Sequence, residues 1–361
     1  MRMACKKIGL VLLAAVFCSG PSLAQEKLHI TPELVAAAEA EGQFTLQYTS
    51  PLNSMQALIS EFSRKYPKVR VNLERKAGTR GAQIMQQEFD AGVNRIDIFQ
   101  GSDIDSNAEL VEHKLFAAID PETPNPLPQT ALTLAPYLYF PDLTRPVFMY
   151  NPTQVTQAEA DKLRDWKGIL DPVFKNRVSL VEPIFGTTLS PLLYIMNTPG
   201  MGEDFLRKLK QQNPVIFLNT AQAREAMISG QTPISWGAQF ESIALSEIHR
   251  GAPVRFVYPT PTVEYGGNAW GVLAKAPHPK AARLFFAWLM SRDGGLAIES
   301  PGYNGRSVLV GPEDTRAMVK ELAGKPWYHA PEKAWSPDMK DWIANGAKYR
   351  ETWNSILKRR N

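Results

Sequence analysis

Five short segments carry the residue types that hold small polar molecules: Thr49-Ser50, Gly78-Thr79-Arg80, Gly101-Ser102-Asp103, Gly186-Thr187-Thr188 and Trp236-Gly237-Ala238. Each stands where an extended run or a loop turns into a helical one. There the first turn of a helix presents unpaired backbone N–H groups and a partial positive charge. The chemistry on offer is capture of a small polar ligand, an oxyanion above all. At any one junction a hydroxyl serves equally well as a plain helix cap. As a set, Thr49, Ser50, Thr79, Arg80, Ser102, Asp103, Thr187, Thr188 and Trp236 are the candidate ligand residues. Arg80 adds a planar fork suited to a carboxylate or phosphoryl group, against the ordinary alternative of a solvated surface charge. Trp236 is either an apolar wall for the ligand or a core tryptophan at a strand end.

Catalytic patterns are missing from the same text. There is no HExxH, GxSxG, GxxxxGK[ST] or GxGxxG. His29, His113, His249, His278 and His329 are scattered, with no metal-ligand spacing between them. Asp103-Ile104-Asp105-Ser106-Asn107 opens like a calcium loop, but Ala108 stands where the turn glycine belongs and Lys114 where the bidentate glutamate belongs. Asp103 or Asp105 is better read as the cap of a helix starting near Asn107. No residue is assigned a catalytic role, and no metal or cofactor is called for.

The elements that must position these junctions follow from hydrophobic periodicity. Helix Leu34–Glu41, strand Phe44–Tyr48, helix Met55–Tyr66, strand Val69–Leu73, helix Gly81–Ala91 and strand Ile96–Phe99 alternate in a βαβαβ rhythm. Ser50 before Pro51 reads as an N-cap with proline at the first helical position. Between Asp120 and Pro146 the chain is loop-rich, ending in the strand Val147–Tyr150. A second rhythm then runs through strands 177–181, 215–218, 233–236 and 254–258, with helices between them. Strand Asn268–Leu273 and helix Pro279–Ser291 follow a proline-rich connector at 258–262. The segment after Pro312 reads as helical, with Trp327, Trp335, Trp342 and Trp353 as packing groups and Ser336-Pro337-Asp338 opening the last helix. The fold class is therefore α/β, with a second α/β lobe near residues 151–261 and a helical C-terminal segment.

Residues 1–24 read as a secretory signal peptide: Arg2, Lys6 and Lys7, an apolar run from Ile8 to Phe17, and the small-residue site Ser22-Leu23-Ala24. About ten apolar residues cannot span a bilayer. The bulky Phe17 before Cys18 fits poorly with lipid-modified processing. Cleavage would remove Cys5 and Cys18, the only cysteines, so the mature chain needs no disulfide even in an oxidising compartment. It would also take three of the 40 basic residues, leaving 37 against 36 acidic ones. That balance points to neither nucleic acid nor a membrane surface as partner.

Glu41-Gly42-Gln43-Phe44-Thr45-Leu46-Gln47-Tyr48-Thr49-Ser50, Phe62 with Tyr66-Pro67, Ala91-Gly92 and Ile96-Asp97 occur in an order that resembles the periplasmic binding proteins of ABC transporters, ferric-iron-binding type. Met149-Tyr150-Asn151-Pro152, Gly230-Gln231, Ala276-Pro277-His278-Pro279, Ser291-Arg292-Asp293-Gly294-Gly295 and Gly305-Arg306 are similar to later stations of that family. The resemblance implies a type II periplasmic binding fold, two doubly wound α/β lobes joined by two crossings with C-terminal helices, which closes on a solute between the lobes; residues 25–150 and 262–312 would form lobe 1, 151–261 lobe 2 and 313–361 the C-terminal helical segment. It also implies a permease in the inner membrane as partner and a periplasmic location. The family's iron-binding members carry an adjacent tyrosine pair after the segment that here reads Gly230 to Ser235. This chain has Trp236-Gly237-Ala238-Gln239-Phe240 instead. The expected cargo is accordingly a phosphonate, an organophosphate or a carboxylate, with iron held by other ligands as the alternative. A monomer is expected, because no heptad pattern is visible. An enzyme on the same bilobal fold is the rival reading, and the missing catalytic motifs speak against it.

Overall fold

The fold is given by a computed structural model that describes residues 26–76, 78–123, 134–183, 186–237 and 239–357. The signal expected at 1–24 lies outside them. Strand β1 (Glu26–Leu28) leads into helix α1 (Pro32–Glu41), capped by the Thr31 hydroxyl at its start and ended by Gly42 in the left-handed region at φ 71°. The βαβαβ rhythm then appears as β2 (Gln43–Tyr48), α2 (Leu52–Lys65), β3 (Arg70–Arg75), α3 (Gly78–Asp90) and β4 (Ile98–Gly101), followed by α4 (Ile104–Glu112) and β5 (Ile119–Pro121). β4 lies two residues later than expected. The carboxylate of Asp97 is occupied elsewhere, taking the backbone N–H groups of Thr45 at 2.8 Å and His278 and so stapling three segments.

The chain crosses through β6 (Asp142–Thr144) into β7 (Phe148–Tyr150), α5 (Gln157–Lys162), β8 (Val178–Val181), α6 (Gly186–Asn197), α7 (Gly202–Gln211), β9 (Val215–Phe217), α8 (Thr220–Ile228), β10 (Ile234–Trp236), α9 (Glu241–His249) and β11 (Arg255–Val257). It crosses back through β12 (Thr262–Val263) and β13 (Tyr265–Gly266) to β14 (Ala269–Val272), α10 (Pro279–Leu289), α11 (Arg292–Ile298) and β15 (Arg306–Ser307). It ends with α12 (Ala317–Leu322), β16 (Ala334–Trp335) and α13 (Met339–Leu357). The segment after Pro312 is therefore not helical throughout, since β16 pairs in parallel with β12.

Lobe 1 is built on a four-stranded sheet in the order β14-β4-β2-β3, parallel except for β14. Its core forms when α10, far along the chain, returns to the first helices: Phe285 lies 5.0 Å from Phe44 and Trp288 lies 5.3 Å from Phe62, measured between ring centroids. Lobe 2 is a five-stranded sheet in the order β11-β7-β10-β8-β9, with β7 antiparallel to both its neighbours. A third sheet, β13-β6-β15, joins both crossings to the chain beyond α11. Trp342 and Trp353 are buried against lobe 2, where α13 packs on α6 and α7. The helices give each lobe the covered faces that a mostly parallel sheet requires.

Candidate functional site

A cavity of about 430 Å³ opens between the lobes. Thr49, Ser50, Ser102 and Thr188, all candidates from the sequence, line it together. Its lobe 1 wall begins at the end of β2. There Gln100, fully buried on β4, accepts the backbone N–H groups of Thr49 at 2.9 Å and Ser50 at 3.2 Å through Oε1, and donates from Nε2 to the Ser50 hydroxyl at 2.5 Å. One amide side chain thus sets the whole turn. It also explains why Ser50 is not the helix cap expected of it: its hydroxyl is engaged by Gln100, and Pro51 takes the cap position with no side-chain hydrogen bond to the helix. The uncapped start of α2 opens onto the cavity through Pro51, Asn53 and Ser54. Arg75, at the end of β3, donates to the Ser50 carbonyl at 3.2 Å from the same wall.

Lobe 2 contributes two more helix starts. Thr188, buried in the first turn of α6, faces the cavity, and so do Asn219 and Thr220 at the head of α8. Asn219 caps its helix through the N–H of Gln222 at 2.9 Å. Arg224 on α8 and Arg250 beyond α9 both pair with Glu247, at 2.9 and 2.5 Å. With Arg75 and Asp142, the cavity wall carries three arginines against two carboxylates, a formal balance of +1.

The floor is the sheet of the crossings. Asp142 on β6 is buried, and its carboxyl is met by backbone N–H groups alone among the described residues: a long hydrogen bond from Asn268, at 3.4 Å, and its own N–H. No arginine, lysine or histidine among the described residues pairs with it, and desolvation pushes its carboxyl up to about 7. Tyr303 reaches the same space. Its buried hydroxyl stands near Ser50, Asn268 and Gln100 without a hydrogen bond of proper geometry, and burial raises its pKa.

The remaining candidates fall elsewhere or cannot be placed. Thr79 and Arg80 lie in the first turn of α3, and Thr187 in that of α6; their side chains are outside the described part of the structure. Asp103 occupies the N-cap position of α4, which starts at Ile104 rather than near Asn107. It accepts the Ser106 hydroxyl at 2.7 Å and is not part of the cavity wall. Trp236 sits in the lobe 2 core, stacked on Phe148 at 5.7 Å and edge-on to Trp166 at 6.0 Å. Asp142, Tyr303, Gln100 and the α8–α9 charges carried no local pattern that sequence reading could use. The signals present were the doubled glycine Gly266-Gly267 and the turn Pro301-Gly302-Tyr303-Asn304-Gly305. A Cβ on Gly267 would stand 2.8 Å from both Asp142 Oδ2 and Thr144 Oγ1.

The chain belongs to the bacterial extracellular solute-binding protein family, whose model matches residues 47–295. It is thus an extracellular solute-binding protein. A comparison with curated protein sequences returns no match. Among solved structures, the fold is similar to the substrate-binding protein of an ABC transporter from Agrobacterium tumefaciens, with TM-score 0.71 and 16% identity, covering 88% of this chain and 94% of that one. It is similar to the periplasmic binding protein AfuA from Actinobacillus pleuropneumoniae, solved with fructose-6-phosphate bound, with TM-score 0.66 and 16% identity over 88% of this chain and 99% of the other. It is also similar to the apo ferric ion-binding protein A of Pasteurella haemolytica, with TM-score 0.68 and 16% identity over 87% and 98%.

Proposed function

We propose that the protein is the periplasmic solute-binding component of an ABC importer, delivering a small anionic solute to a permease in the inner membrane. The solute classes are a phosphonate, an organophosphate or a carboxylate. The observation that carries this reading is the convergence of three helix starts, those of α2, α6 and α8, on one cavity whose charged wall has a balance of +1. Backbone N–H groups at helix starts are preorganised anion donors, and arginines add long-range attraction. The phosphorylated sugar named with AfuA is in keeping with this class of cargo. Ferric iron named with other neighbours is less so, because no tyrosine stands at 236–240.

A thermal-shift panel of phosphonates, phosphate esters, carboxylates, neutral sugars and ferric salt tests the reading. A solute at ~100 times its dissociation constant adds roughly 2.7 kcal/mol of stability. Stabilisation by anions, with no chemical change of the bound compound, is the expected result. Stabilisation by neutral sugars or iron alone, or turnover of the compound, overturns it.

A further inference from the structure

The floor of the cavity does not match an anion site. Three helix starts and the arginines supply what an anionic group requires, yet Asp142 places a carboxylate in the same cavity with no cationic partner among the described residues. A buried carboxylate without a partner is costly, and one that lines a cleft is a candidate ligand group. Its neighbours carry hydroxyl and amide groups that can accept as well as donate. Thr144 Oγ1 flanks the same face of Gly267 as Asp142 Oδ2, and the Tyr303 hydroxyl and Asn268 border the same cavity. The cluster is fixed by main-chain pairing: the Gly267 N–H donates to the Asp142 carbonyl at 2.9 Å, and Asp142 pairs with Ser307 of β15 in register. Gly267 itself is required there, since any side chain would fill the space in front of the carboxylate.

We infer that the solute carries a protonated amine in addition to its anionic group, and that the amine docks on Asp142 with Tyr303, Thr144 and Asn268 around it. This rests on the anion-binding reading of the same cavity. An ammonium has three N–H donors and a full positive charge. It therefore meets the acceptors at the floor and compensates the buried carboxylate, where a hydroxyl would supply a hydrogen bond and leave the charge unbalanced. A cavity of about 430 Å³ is within the size range of small-ligand sites, and both subsites border it, so one amino-bearing anion can address both.

Two matched series test this by calorimetry on the mature protein at pH 8: propanoate, 3-hydroxypropanoate and 3-aminopropanoate, and ethyl-, 2-hydroxyethyl- and 2-aminoethylphosphonate. The expected result is that in at least one series the amine binds at least tenfold tighter than its hydroxyl and unsubstituted analogues. Asp142→Asn should abolish that preference, so that the amine binds no more tightly than its hydroxyl and unsubstituted analogues. Carbon-detected NMR of the Asp142 carboxyl keeps the test independent of the variant: the amine should drive its titration to lower pH. Equal affinity for all three members of a binding series overturns the amine subsite and leaves the anion reading standing. A hydroxyl analogue as tight as the amine, or a preference surviving in Asp142→Asn, also overturns it. Failure of every anion to bind removes both readings together.

Discussion

Gln100 Oε1 accepts the backbone N–H groups of both Thr49 and Ser50, so a residue on β4 dictates the turn that follows its neighbour β2. The two strands are parallel and adjacent, and the amide bridges them at the carboxyl ends where ligands of open α/β sheets bind. Gln100→Ala removes the partner of two main-chain donors and of the Ser50 hydroxyl. Each buried donor left unsatisfied costs about 1–3 kcal/mol. The variant should lose roughly 2–4 kcal/mol in chemical unfolding. Its solute affinity should fall as the turn relaxes. Wild-type affinity in a folded Gln100→Ala protein would show that the turn does not shape the site.

Asp142 makes stability depend on pH. Its folded pKa of about 7 lies above the ordinary value of 3.8, so the folded state holds a proton that the unfolded chain gives up first. Below about pH 4 the group is protonated in both states and costs nothing; as pH rises from about 4 to 7 stability falls, and above that the full cost, on the order of 4 kcal/mol, is present. Tyr265 and Tyr303, which feel its charge, are neutral throughout that window: the ordinary tyrosine range already lies well above it, and burial raises both further. Asp142→Asn should therefore raise the melting temperature at pH 8 and leave it unchanged near pH 4. An equal shift at both pH values would rule out a titrating carboxyl.

Arg316 and Glu241, both essentially without solvent exposure, pair at 2.7 Å. Arg145 of the first crossing also reaches Glu241 at 3.5 Å, while Arg316 Nη1 donates to the Asn304 carbonyl at 3.0 Å, next to Tyr303. Removing one partner of a buried ion pair typically costs about 3–5 kcal/mol. Arg316→Leu should lose that much in equilibrium unfolding and weaken solute binding by releasing the Tyr303 turn. A loss below about 1 kcal/mol would place the network among exposed pairs that contribute little.

Trp236 stacks on Phe148 and is buried, so its contribution belongs to the lobe 2 core. Trp236→Phe should destabilise by about 1–3 kcal/mol through lost packing. Calorimetry should find the solute affinity within about twofold of wild type, as expected for a packing change away from the ligand. A larger fall in a folded variant would return Trp236 to the ligand.

The crossings near 145–148 and 259–262 are proposed as hinges. Small-angle scattering should show a smaller radius of gyration with saturating solute as the lobes rotate together. An unchanged radius would count against closure on the ligand.

The order of strands and helices was legible because it is local. Phe44 to Tyr48 alternates, Leu58 and Phe62 share a helix face, and Gly42 ends α1 in a left-handed turn only glycine takes readily. The same local signals located Thr49, Ser50, Ser102 and Thr188 at junctions that lead into helices, which the topology then gathered into one cavity. Asp142 and Tyr303 are separated by 160 residues of chain, and no periodicity links them. They share a cavity because β6 and β15 pair at the crossings, and Asp142 is perturbed because that pairing takes it out of water. Hydrophobic pattern is written residue by residue and so fixes elements; desolvation and charge balance depend on what the whole chain brings alongside, and only the tertiary structure decides them.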